Sequence, residues 1–447
     1  MYLPKDFYLG VLNKHDILIN PDNILISCEL GKNKKQGDIW EYYKKLIGQK
    51  EALHIGDDVS ADIEKPKEYG IHTYYTPSGN DILSSSSMQS IVPNITSRYI
   101  SATIGSATSV IFNNPFSIVS KNGIPGINTE YEMGYSVFGP VILTFFIWLN
   151  KERQKDSINS FVFMSRDGYF LKRDYSLFCN LFGKEDNSIY IGISRQLAML
   201  ASIEDEEDLI EYLKKPYSGS VRELFEDRLG LVVTEDDTVT IEECVDKHRE
   251  RIFEEIERIK KNYLAYLRSM GLNSECAVVD LGFYGNNQRY LNKLLDASMM
   301  GYYFNANLSE RNDNTKAQKM KACFQKPDDK TAEHSEVLKR MIFLESYLTA
   351  PYGMVREVTS EGKFITAKSR GNQKCFDRKE KINDGVRQYI QDYIELFGCF
   401  DLEPDIDVID KYYGLCFDGS VDYSDEIKSG FYNDNAMMNR IESMLFY

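Results

Sequence analysis

Along residues 4–76, helical and strand-like spacings of apolar positions alternate. "PKDFYLGVLNKH" sets Phe7 against Val11 and Tyr8 against Leu12 four residues apart, with Pro4 at a favoured helix start. "NILIS" (23–27) is an apolar run of strand length. "GDIWEYYKKLIG" puts Ile39, Tyr43, Leu46 and Ile47 on one helical face and stops at Gly48. A strand at 52–55, a helix from Ser60 to Tyr69 ended by Gly70, and a strand at 71–75 complete the block. Strands separated by single helices imply parallel pairing, hence an α/β fold with a doubly wound sheet.

Beyond this first domain (1–76), Ser-rich sequence with Pro and Gly predicts a linker over 77–90 and a helical connector over 91–158. A second doubly wound α/β domain is expected over 159–330, with strands at 160–165, 188–194, 275–282 and 300–305. Its longest helix should start at Thr240, where "TIEE" forms a capping box with Glu243, and run toward Gly271. The region 331–447 reads as mostly helical, with a hairpin over 352–368. "YSVFGPVILTFFIWLN" (135–150) has an uncharged core shorter than the roughly 20 residues that span a bilayer. It is predicted to be a buried helix with Pro140 near its first turn, not a transmembrane segment.

Composition narrows the function classes. A net charge of −15 disfavours a nucleic-acid backbone as partner, because that needs concentrated positive surface. The eight cysteines carry no CxxC pair, which argues against the usual zinc sites and a disulfide framework, and fits a reducing cytoplasm. No signal peptide is expected in "MYLPKDFYLGVL", which has neither a basic flank nor a cleavage site. The five histidines show no ligand spacing, and His54 is expected to be a packed core residue.

Two groups of residues could carry chemistry. In "HIGDDVSAD" (54–62) a short strand runs into Asp57, Asp58 and Asp62, and carboxylates gathered at a strand end suit a hard cation such as magnesium. The alternative is that Asp58 and Asp62 cap the next helix. Later, Ser165, Arg166 and Asp167, then Ser194 and Arg195, then Asp280, Gly282 and Gly285 fall at three strand ends. Ligands of doubly wound sheets bind outside such ends, and two arginines with two Gly-containing turns suit an anionic ligand. Internal salt bridges and turn geometry are the competing explanation.

"ISCELGKNKKQGDIWEYYKKL" followed by "LHIGDDVSADIEKPKEYGIHTYY" resembles the third and fourth motifs of the haloacid dehalogenase (HAD) superfamily: a lysine, then a strand ending in GDxxxxD. "FMSRDGYFL", "GISRQ" and "VVDLGFYG" are similar to segments of a two-part bacterial group of that superfamily, found with surface-polysaccharide glycosyltransferases. The resemblance implies a partial HAD-like domain, magnesium-dependent phosphoryl transfer or phosphate monoester hydrolysis on a sugar-phosphate-like substrate, and a role for each matched residue. Lys34 would neutralise the transferring phosphoryl group. Asp57 and Asp62, with Asp58, would hold or orient magnesium. "ESYLTAPYG" (345–353) matches a late motif without giving Glu345 a role.

The departure from that pattern is severe. The Asp nucleophile and the phosphate-binding Ser fall before "MYLP" in the family arrangement, so the chain is expected to be inactive as a phosphatase. Strand 23–27 would correspond to the third HAD strand and lack its neighbours, leaving it to pair with 52–55, await a partner or move. The competing functions are a sugar-phosphate or nucleotide-sugar binding or transferase module acting through the second domain, and a non-catalytic glycosyltransferase partner.

Overall fold

The computed structural model describes residues 3–234, 239–308, 319–326, 332–398, 404–435, 440–444 and 446. The chain divides into two units, Met1–Ser85 and Ser86–Tyr447. Both are α/β with parallel strands.

In the first unit, helices Lys5–Lys14 and Asp38–Ile47 form where the apolar spacing places them. Strands β1 (Leu53–Gly56) and β2 (His72–Tyr75) pair in parallel, with Leu53 opposite His72 and Gly56 opposite Tyr75. Between them run a π turn, Val59–Glu64, and a helical turn, Lys65–Glu68. The small core joins Ile39, Trp40 and Ile71, with Tyr43, Ala52 and Tyr69 packed on it. Leu46, expected on the buried face, is 59% exposed, and Trp40 fills the core instead.

The run 23–27 is not a strand. Pro21–Asn23 is a 3-10 turn held by the Asn20 side chain, and Ser27–Leu30 is a helical turn. Ile24 and Ile26 have extended backbones, yet the described sheet of this unit contains only β1 and β2. Extended residues become a strand only when a neighbour takes up their N–H and C=O groups. Ile26 is instead a single buried plug. The stretch expected to be a linker also contains a helix, Gly79–Ser85.

The second unit begins with helices, among them Arg98–Ser109, and a two-residue strand β3 (Gly126–Ile127). A continuous helical run, Glu130–Asp156, follows, starting at a Thr129–Glu132 capping box. Among the described residues it is the one helix long and apolar enough to cross a membrane, and 94% of its most apolar window is buried inside the unit. Pro140 stands in the first turn of the buried α-helix Gly139–Asp156, as the sequence predicts, and a π turn at Gly134–Phe138 joins that helix to the turn before it. Proline cannot donate to the carbonyl four residues back. Here the Tyr412 hydroxyl donates to that carbonyl, Ser136 O, at 2.8 Å.

Strands β4 (Ser160–Met164), β5 (Ser188–Ile191), β6 (Cys276–Asp280), β7 (Met300–Tyr303) and β8 (Met320–Ala322) form one parallel sheet in the order β5-β4-β6-β7-β8. Its central strands are apolar on both faces, as sheets covered by helices on both sides must be. Val162 and Met164 join the core formed with helices Arg195–Ala201, Ile241–Ser269 and Asn286–Leu295. Phe161 and Phe163 point the other way, against Tyr175 of helix Gly168–Leu181. The helix Ile241–Ser269 carries the Thr240–Glu243 capping box read from the sequence.

The hairpin forms as β9 (Val355–Val358) and β10 (Phe364–Thr366). Further on, β11 (Asp422–Tyr423) pairs with β3, and β12 (Tyr432–Asn435) with β13 (Arg440–Ser443). Helix Phe376–Phe397 crosses Glu130–Asp156 so closely that a Cβ on Gly134 would lie 1.8 Å from Ile382 O, and one on Gly385 2.1 Å from Tyr131 O. The regions read separately as 91–158, 159–330 and 331–447 thus belong to one unit.

Candidate functional site

In the first unit, Lys34 Nζ donates to Asp62 Oδ1 at 2.8 Å, and His54 Nε2 lies 3.0 Å from the same oxygen. Asp58 N donates to Asp62 Oδ2 at 3.3 Å. Gly56 makes room, since a Cβ there would sit 2.5 Å from Asp62 Cγ. Burial pushes the Asp62 carboxyl up, but the Lys34 and His54 hydrogen bonds outweigh it and hold Asp62 below the usual carboxylate range. Asp58 Oδ1 caps the helix by accepting from Ala61 N at 2.9 Å, and Asp57 is exposed. The His54 ring packs edge-on against Trp40.

Asp62 therefore orients Lys34. The three aspartates are not gathered into a cage, and among the described residues no group of three or more His, Cys, Asp or Glu is arranged to hold a metal. A magnesium ion here would meet Asp57 and the Oδ2 of Asp58, which Lys35 Nζ approaches to 3.8 Å.

In the second unit the strand order supplies the crevice. Counted within the sheet it is second, first, third, fourth, fifth, so the connections leave β4 and β6 in opposite directions and open a gap between their carboxyl ends. Arg166 and Asp167 leave β4, Asp280 closes β6, Arg195 begins the helix after β5, and Glu345 comes from helix Met341–Tyr347. These five groups act on one another. Burial raises Asp167 well above the usual range, with Asp280 and Glu345 adding to the shift and Arg166 opposing it. Burial pushes Asp280 up to about 7, against the Leu281 N–H and Arg195 and reinforced by Glu345. Glu345 is raised by burial and pulled back by Arg195 and Arg166. Of the three, Glu345 is an exposed residue, whereas Asp167 and Asp280 are half-buried.

The other predicted residues shape the chain. Ser165 Oγ donates to Ile193 O at 2.5 Å and accepts from Ile193 N at 2.8 Å, tying β4 to the segment after β5. Ser194 Oγ donates to Val355 O at 2.6 Å and caps its helix at Leu197 N. Gly282 has φ +137°, and a Cβ there would strike Asn305 O at 2.1 Å; Gly285, with φ +60°, leads into helix Asn286–Leu295.

Two cavities meet at Arg166. The smaller, about 170 Å³, is lined by Asp167, Glu345, Ser346, Thr349 and Asn372 among others. Its wall is locked: Ser346 Oγ donates to Asn372 Oδ1 at 2.7 Å, Asn372 Nδ2 to Tyr432 O at 2.8 Å, and Gln373 Nε2 to Thr349 Oγ1 at 3.1 Å. Beneath it the fully buried Lys379 donates to Ser346 Oγ and Gly430 O, and burial pushes its ammonium down to about 7.

The larger cavity, about 750 Å³, is lined by five cationic side chains, Arg166, Arg228, Arg356, Lys368 and Arg370, against Glu226 and Asp227. Arg228 spends its guanidinium on four backbone carbonyls, those of Tyr212, Leu213, Lys215 and Pro216. Arg356 Nη2 donates to Asp227 Oδ1 at 2.6 Å, while its Nε is buried without a hydrogen-bond partner among the described residues.

No family model and no curated protein matches this chain. Its site has to be read from its own geometry. Sequence reasoning found Arg166, Asp167, Arg195 and Asp280 but gave Glu345 no role, and it missed Arg356, Lys368, Arg370 and Asn372. The signal for the three basic ones was their place in and just after a predicted hairpin; Asn372 had none. A hairpin's position against a distant crevice cannot be read from local spacing.

Proposed function

We propose that the second unit binds a phosphorylated, hydroxyl-rich small molecule, a sugar phosphate or nucleotide-sugar, in the crevice between the carboxyl ends of β4 and β6. One observation carries the reading: Arg166, at the end of β4, is the shared wall of a polar recess and a cation-rich cavity. Hydroxyl, amide and carboxylate groups suit sugar hydroxyls, and guanidinium forks suit phosphate oxygens. Asp280, poised near neutrality, is a group able to give or take a proton there, as a transferase would need.

Isothermal titration calorimetry with glucose 1-phosphate and UDP-glucose tests this. Binding should be lost or weakened at least about tenfold, roughly 1.4 kcal/mol, in Arg166→Ala. It should also weaken as pH rises, because Asp167 and Glu345, both held above the usual carboxylate range by burial, then ionise in the wall of the recess beside the anionic ligand. Unchanged affinity in Arg166→Ala would sink the proposal.

A second reading is favoured by the Lys34–Asp62 pair at the carboxyl end of β1. In it the first unit is part of a HAD-like phosphohydrolase site in surface-polysaccharide metabolism, working beside a glycosyltransferase. Asp57 and Asp58 would hold magnesium, which supplies charge neutralisation for an attacked phosphate monoester. Lys34, held by Asp62, would meet the phosphoryl oxygens.

A further inference from the structure

The two cavities at Arg166 differ in charge, and a ligand bearing phosphate has to be oriented by that difference. A phosphate dianion in the small recess would face two carboxyl groups, Asp167 and Glu345, against the single cation Arg166, and could enter only by keeping both carboxyls protonated. An uncharged polyol suits the recess better. Its Ser346–Asn372–Tyr432 wall is fixed by internal hydrogen bonds, leaving little ordering for a ligand to impose.

The large cavity has the opposite character. On a chain of net charge −15, it gathers five cations against two carboxylates. Asp227 pairs with Arg356 and accepts from the Tyr217 hydroxyl at 2.5 Å, and with that pair counted on both sides the cations still exceed the carboxylates by three. The cations come from separate segments: Arg166 from the end of β4, Arg356 from β9, and Lys368 and Arg370 from the chain just past β10. A single phosphate group cannot span cations spread around some 750 Å³, whereas two linked phosphates reach more of them. Tyr217, Met354 and Ile441 add apolar wall for whatever the linker carries beyond the charges.

We propose that the ligand is a diphosphate ester of nucleotide-sugar type, with its sugar in the small recess and its diphosphate linker in the large cavity against Arg356, Lys368 and Arg370. This rests on the reading of the β4–β6 crevice as a ligand site and chooses between the two ligand classes that reading allows. Asp167 and Glu345 then select the neutral end of the ligand, and Arg166 marks the junction.

Calorimetry on the full chain with phosphate, pyrophosphate, glucose 1-phosphate and UDP-glucose tests the assignment, pyrophosphate being a diphosphate with neither base nor sugar. Pyrophosphate should bind about tenfold more tightly than phosphate, and UDP-glucose more tightly than glucose 1-phosphate. The double variant Lys368→Glu with Arg370→Glu, shown to be folded by circular dichroism, should weaken pyrophosphate and UDP-glucose about tenfold or more. Asn433→Trp, which narrows the recess, should weaken UDP-glucose and leave pyrophosphate unaffected. Equal binding of phosphate and pyrophosphate, or pyrophosphate binding indifferent to the double charge reversal, would overturn the inference. If glucose 1-phosphate binds as tightly as UDP-glucose and Arg166→Ala abolishes both, the crevice is a ligand site but the diphosphate assignment fails. If none of the four binds, both fail.

Discussion

Asp62 shows how one carboxylate can be settled by its neighbours rather than by its motif. Its two oxygens serve Lys34, His54 and the Asp58 amide, so its side chain is a fixed anion in a nearly closed pocket. Because its folded pKa lies below the unfolded value of about 3.9, it contributes stability that is fully present above about pH 4. That contribution is lost as pH falls through the folded value. Asp62→Asn should therefore lower the urea midpoint of the first unit at pH 7, and the gap from wild type should close as pH falls below about 4. Trp40 reports on this unit, since its indole donates to Ala61 O at 3.2 Å; in a Trp148→Phe background it is the single tryptophan. A gap that stayed constant down to pH 2.5 would contradict the argument. The same residue-level logic separates Ser165 and Ser194, whose hydroxyls are spent on backbone, from Arg166, which borders both cavities.

Among elements, the contrast lies between stretches of equal apolarity that do and do not find a pairing partner. Residues 23–27 and 160–164 both read as strands. The second lies between β5 and β6 in a ladder closed on both sides, whereas the first has extended backbone without a described ladder. Protection from hydrogen exchange follows hydrogen-bonded burial. Amides of 24–27 should exchange orders of magnitude faster than those of 161–164 and 276–279, measured by exchange mass spectrometry. Equal protection would mean that 23–27 has a strand partner in solution. At the other extreme, the Gly134–Gly385 crossing shows an element pair that periodicity alone could not match. In an exposed helix Ala is favoured over Gly by about 1 kcal/mol, but here the overlap with Ile382 O dominates.

At the scale of the whole molecule, the two units carry different chemistry and separate cores, so their functions should divide. Residues 86–447, holding the five-stranded sheet and both cavities, are expected to fold without 1–85 and to bind pyrophosphate as the full chain does. If magnesium belongs to the first unit, it should raise the unfolding temperature reported by Trp40 in the full chain carrying Trp148→Phe, and Asp57→Asn should remove that rise. Loss of pyrophosphate binding on deleting 1–85 would show that the ligand site needs the first unit. A magnesium shift that survived Asp57→Asn would sink the cation reading.

The order of helices and strands was legible in local spacing, because amphipathic periods and caps such as Thr240–Glu243 act within a few residues. So were the three strand ends of the second unit, where apolar runs stop at Arg166, Arg195 and Asp280. Whether an extended run becomes a strand was not legible, because pairing depends on a neighbour distant in sequence; 23–27 and the unrecognised β8 are the two cases. Nor could spacing reveal that helix Phe376–Phe397 docks on Glu130–Asp156, or that the hairpin brings Arg356 and Lys368 to the crevice that Arg166 borders. Sequence fixes what a segment can form by itself. Which charges face one another across a cavity is decided by long-range packing, and in this protein the candidate site is made of those charges.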